Sequence, residues 1–186
     1  MSINSNKNAS FLANLFLEGR PVVLNQQRLK SRLRDPRLTR RERLDTEVSL
    51  ASGEGVNYLT LADHEDDKPL LFKFVPKDNG FAVMTILKGE YDERFLSVAQ
   101  GTRHVVAGDD RNNLFSLSNG KTTAANFTDL QKGPSYVHLG VAGRLLYLGL
   151  EGGKHYFKDA DPNATGHDAF NGTPAVFVLK IVAQSE

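Results

Sequence analysis

The chain has 186 residues with 40% hydrophobic and 24% charged side chains, an ordinary balance for one globular domain with an extension. It has no cysteine, which excludes disulfides, thiolate metal sites and cysteine nucleophiles, and no run of eighteen apolar residues that would read as a membrane span. The net charge of +1 hides an asymmetry: residues 1–46 carry ten Lys/Arg against four Asp/Glu (+6), and residues 47–186 carry 13 against 18 (−5).

Met1–Ser10 is polar and rich in Ser and Asn. Phe11, Leu12, Leu15 and Phe16 follow at helical spacing, with Ser10 as an N-cap and Gly19 as a stop, so a short amphipathic helix is expected at 11–17. That stretch is interrupted by Asn14 and lacks the flanks of a signal peptide. Pro21–Leu24 reads as extended. Gln26–Arg34 reads as a second short helix on Leu29 and Leu33, stopped by Pro36. Thr39-Arg40-Arg41-Glu42 has capping-box spacing, but little apolar sequence follows, so any helix there is expected to be short. Residues 1–44 are therefore expected to form an N-terminal arm with one or two short helices.

After Leu44, short apolar runs alternate with Gly, Asn and Asp clusters, the texture of an all-β domain. A repeat runs through it. Tyr58-Leu59-Thr60-Leu61, Phe95-Leu96-Ser97-Val98 and Tyr147-Leu148-Gly149-Leu150 share one pattern. Each precedes a second match: Leu71-Phe72-Lys73-Phe74, Leu114-Phe115-Ser116-Leu117 and Val176-Phe177-Val178-Leu179. Each follows a third: Val48-Ser49-Leu50, Val83-Met84-Thr85-Ile86 and Val137-His138-Leu139. One such unit cannot cover its own apolar face, whereas three around an axis close a barrel.

On these residues the chain resembles the β-trefoil superfamily, of the fascin and growth-factor type. It does not resemble the ricin type, which carries Gln-x-Trp in each repeat, because the sequence has no Trp. The resemblance implies an all-β, trefoil-like barrel at 45–186, with repeats at about 45–79, 80–120 and 124–182. The first repeat is short between Leu61 and Leu71, where a strand is expected to be lost. The third is expanded between Phe157 and Pro174.

That expansion is the expected ligand-binding segment, through His155, Tyr156, Asp159, Asp161, Asn163, His167 and Asp168, because long loops on rigid scaffolds carry binding. Asp159, Asp161 and Asn163 begin like a calcium loop, but Ala164 stands where the glycine belongs and Phe170 where the terminal Glu belongs, so no metal is assigned. None of the five histidines has zinc spacing, and no cofactor is expected. No Gly-x-Ser-x-Gly elbow or phosphate-binding glycine loop occurs, and acid pairs such as Asp66-Asp67 sit in expected turns, so the reading is a non-catalytic module rather than an enzyme. Asn-x-Ser/Thr triplets at Asn8, Asn126, Asn163 and Asn171 read as turn residues without a secretory signal.

Arg28, Lys30, Arg32, Arg34, Arg37, Arg40, Arg41 and Arg43 form the expected partner-binding arm. The stretch lacks aromatics for base stacking, so an acidic protein partner, or equally the chain's own acidic β domain, is favoured over nucleic acid or an anionic surface, with a solvated face as the plain alternative. The alternatives are a glycan-binding trefoil of non-ricin type, with Tyr91, Tyr136 or Tyr156 as platform, and an enzyme inhibitor. Lack of cysteine fits a cytoplasmic setting, with leaderless export as the alternative.

Overall fold

The computed structural model describes residues 9–77, 80–87, 93–118, 134–151, 154–159 and 174–185. Twelve strands and two helices lie among them. The described residues begin with a hairpin, β1 (Ser10–Leu17) and β2 (Arg20–Leu24), turned by Glu18-Gly19 at φ 51° and 83°. A two-residue loop left-handed at both positions matches the twist of paired strands, and glycine adopts it without steric cost. Ala142-Gly143, at φ 52° and 80°, turns β9 (Ser135–Val141) into β10 (Arg144–Glu151) in the same way.

Residues 11–17 are therefore a strand and not the expected helix. Phe11, Ala13, Leu15 and Leu17 are buried, and the residues between them are half-buried. That is the period of a strand. Leu12 and Phe16 put apolar groups on the second face as well, and the two rows together imitate helical spacing. Far from lying on an arm, β1 pairs with strands on both sides.

Two helices follow, α1 (Asn25–Leu33) and α2 (Arg40–Ser52). Then come β3 (Leu59–Leu61), β4 (Leu71–Lys77), β5 (Gly80–Ile86), β6 (Glu93–Val98), β7 (Val105–Gly108) and β8 (Phe115–Ser118). After β9 and β10, β11 (Lys154–Asp159) and β12 (Phe177–Ser185) complete the series.

All the ladders among these strands are antiparallel and fall into four kinds, each found three times. A first strand pairs with a second in β1–β2, β5–β6 and β9–β10. A second pairs with a third in β2–β3, β6–β7 and β10–β11. A first pairs with a fourth in β1–β4, β5–β8 and β9–β12. A fourth pairs with the next first in β4–β5, β8–β9 and β12–β1. The last two kinds alternate around a closed six-strand antiparallel barrel, β1–β4–β5–β8–β9–β12, which leaves none of its members as an edge.

Aromatic side chains fill it. Phe11, Phe72, Phe74, Phe115, Phe157 and Phe177 are fully buried. Phe11 stacks on Phe74 at 5.0 Å, and Phe81 meets both rings edge-on. Gly80 is required by close approach, since a Cβ there would lie 2.7 Å from the Phe115 carbonyl oxygen on the neighbouring strand.

The sequence matches map unevenly onto this pattern. Leu71–Phe74, Leu114–Leu117 and Val176–Leu179 fall on or beside β4, β8 and β12, all fourth strands. Phe95–Val98 and Tyr147–Leu150 lie in the second strands β6 and β10, but Tyr58–Leu61 belongs to a third strand, β3. Val48-Ser49-Leu50 lies in α2. The first set thus starts at Ser10 rather than near residue 45, and it lacks no strand. The helices inserted between β2 and β3 separate its halves, and short apolar runs look alike whichever strand they form.

Candidate functional site

The inserted helices are anchored at their base. The first turn of α1 lacks intrahelical acceptors for its N–H groups. Asn25 N–H donates to the Tyr58 carbonyl and Gln26 N–H to the Val56 carbonyl, both at 2.8 Å, and the buried Asn25 side chain donates to the Gly55 carbonyl at 3.2 Å. Leu29 is buried beneath.

The second helix is held mainly by its ends. Glu42 N–H donates to Thr39 Oγ1 at 3.1 Å, and the Thr39 hydroxyl donates to Glu42 Oε1 at 2.8 Å. Gly53, at φ 70°, ends it in the left-handed conformation. This helix runs thirteen residues rather than the short piece expected, although Thr46 is its sole buried residue. Glu42, Arg43, Ser49 and Leu50 are half-buried beside Thr46. Arg41, Leu44, Val48 and Ala51 are all exposed, Leu44 at 53% and Val48 at 67%.

The eight cations divide into two groups. Arg28 pairs with Asp63 at 3.3 Å and donates to Asn25 Oδ1 at 3.0 Å. Arg32 pairs with Glu42 at 3.5 Å, Arg37 with Asp35 at 3.2 Å, and Arg43 donates to the Leu33 carbonyl at 2.9 Å. These four stitch the insertion together. Among the described residues, the side chains of Lys30, Arg34, Arg40 and Arg41 make no ion pair and are exposed. The Asp35 carboxyl is held below its usual range first by the Arg37 backbone N–H and then by its guanidinium. The Glu42 carboxyl is lowered chiefly by the Thr39 hydroxyl.

Two open clefts flank α1. One, of ≈ 320 Å³, runs towards the β3–β4 connection and mixes Arg34 and Lys68 with Asp66 and Asp67. The other, of ≈ 370 Å³, lies where Lys30 and Leu50 face Asn57 and Arg94 of the barrel side.

The residues expected from the third repeat are placed differently. Strands β3, β7 and β11 touch one another, through bridges from Tyr58 to Val106 and from His104 to Lys158. The Thr60 hydroxyl donates to the His155 carbonyl. Tyr58, His104 and Tyr156 therefore occupy corresponding positions, and their rings meet. Tyr58 stacks on His104 at 4.5 Å, and Tyr156 stands edge-on to both at 5.2 and 5.4 Å. The Asp159 side chain is fully buried and accepts from Arg103, with Arg144 4.0 Å away. Tyr156 and Asp159 thus join strands together. Asp161, Asn163, His167 and Asp168 lie outside the described residues, as does Tyr91, whereas Tyr136 is 72% exposed on β9. Among the described residues no three His, Asp or Glu side chains gather as a metal site.

Val48 was expected in a repeated β element, Val48-Ser49-Leu50, which hides its place beside Leu44 on one helix face. The signal was there: Thr39 and Glu42 at one end and Gly53 at the other bracket a helix in which they stand four apart. No described helix is long and apolar enough to cross a membrane. Comparison with protein-family models, with curated proteins and with solved structures found no match to this chain.

Proposed function

We propose that this protein is a non-catalytic binding module, a β-trefoil that presents a helical insertion to a protein partner. The fourfold set of ladders, repeated three times, supports the trefoil, with units at 10–77, 80–118 and 135–185. The three corresponding rings of Tyr58, His104 and Tyr156 mark where the units meet.

One observation carries the binding reading. The α2 helix exposes Leu44 and Val48 while burying Thr46 alone. Isolated helices of this length are marginal in water, and most protein helices depend on a buried face. The insertion is not needed to close the barrel, so an outward apolar row on it is best explained by a partner. The unpaired Arg40 and Arg41 beside that row favour a partner with acidic groups. Absence of cysteine from the sequence fits a reducing compartment.

The test is affinity capture from the native source with the full chain and its Leu44→Glu/Val48→Glu variant, both checked for folding by circular dichroism. The expected result is a partner held by the unmodified chain and depleted on the order of tenfold by the variant, as for a lost interface centre. Equal capture by both proteins would remove α2 from the binding face.

A further inference from the structure

We infer that the partner lays a helix along α2, running parallel to it, with acidic residues early in that helix and basic residues later. This rests on the reading of α2 as the binding face.

The spacing on α2 selects a helix. Arg41, Leu44, Val48 and Ala51 are exposed and stand three, four and three residues apart. That is the seam along which one helix packs against another. An extended peptide has a period of two and cannot match it.

The charge order selects the direction. Arg40 and Arg41 open the helix, and Asp45 and Glu47 follow; all four are exposed and form no ion pair among the described residues. This order opposes the helix dipole, which favours acids at the start. Glu42, the acid in the first turn, is engaged with Thr39 and Arg32 instead. A helix with ordinary charge order has acids first and bases last. Laid parallel, it sets acids against Arg40 and Arg41 and bases against Asp45 and Glu47.

The same charges disfavour a second copy of this chain. An antiparallel pair of α2 helices sets Leu44 against Val48, but it brings Asp45 to Asp45 and Glu47 to Glu47 beside the two-fold axis. A parallel pair sets Arg41 against Arg41. Nucleic acid would meet the two acids and leave Leu44 and Val48 without a role.

The experiment uses the full chain, isotope-labelled, and two synthetic peptides of about two heptads. The first has acids early, bases late and an apolar seam, with a spin label at its N-terminus. The second has serines in the seam. The first peptide is expected to shift the amide signals of Arg41, Leu44 and Val48 and to broaden those of Arg40 and Arg41 most. Its affinity should fall severalfold as salt rises from roughly 0.05 to 0.5 M. The serine peptide and the Leu44→Glu/Val48→Glu chain should each show binding at least about tenfold weaker, as for loss of the buried centre. Broadening centred on Ala51 and Ser52 would overturn the orientation. No binding by the first peptide would overturn the helical partner, and if capture from the native source still depends on Leu44 and Val48, the binding face itself survives. A dimer in sedimentation that Leu44→Glu dissolves would assign the face to self-association and overturn the proposal.

Discussion

In β1, every second residue is buried, and its four inward side chains join the barrel core. In α2, thirteen residues contribute Thr46 alone. The barrel draws its stability from burial, whereas α2 depends on a cap at each end and on contacts with α1. Stability and recognition should therefore reside in separate residues, and substitutions can be chosen to separate them.

The largest effect is expected in the barrel. Phe72→Ala, at a fully buried ring, should cost about 3–5 kcal/mol, measured by urea unfolding. Next comes Asp159→Asn. The buried Asp159 carboxylate accepts from Arg103, which is itself 40% exposed and can turn to water, so the loss should be about 1–3 kcal/mol, read from thermal unfolding.

Effects in the insertion should be smaller and local. Thr39→Ala removes the N-cap and should destabilise α2 by about 1 kcal/mol, seen as faster amide exchange from residues 40–46 with barrel amides unchanged. Acid should act on the same region. The carboxyls of Asp35 and Glu42 are held below the usual carboxylate range, so their contribution is present at neutral pH and is lost as pH falls through the lowered values. An acid titration followed by NMR should show the α1–α2 junction loosening as those two carboxyls take up protons. Smallest of all, Leu44→Ser with Val48→Ser should shift global stability by no more than about 0.5 kcal/mol, because neither side chain is buried. A large loss there would mean that α2 belongs to the folding unit after all.

Legibility in the sequence followed the same division. The all-β character and the fourth strands β4, β8 and β12 could be read from the recurring tetrapeptide around Phe72, Phe115 and Phe177, whose Phe and second-following Leu or Phe are buried in each strand. The strand β1 could not, because it is apolar on two faces, and Leu12 and Phe16 disguised its period. The helix α2 was undervalued for the opposite reason. Its few apolar residues are not a core face, so a rule that looks for burial finds little, although the Thr39–Glu42 box was visible. The partition of the eight cations into four fixed and four available was not legible, since Asp63, the partner of Arg28, is thirty-five residues away in sequence. Tyr156 and Asp159 were noticed as polar residues at a loop margin, but their partners Tyr58 and Arg103 come from other strand sets.

Closure of the barrel also constrains how the chain can be made. The first strand, β1, pairs with the last, β12, from Ser10 opposite Ser185 to Phe16 opposite Val178. During synthesis β1 emerges well before β12 and must wait for it before that ladder can form. Until then, Phe11 and Leu15 lie on a strand with one unmatched side, the kind of edge that recruits other chains. Pairing between such distant residues also slows folding. The two-residue turn at Glu18-Gly19 gives β1 a local partner in β2 during this interval.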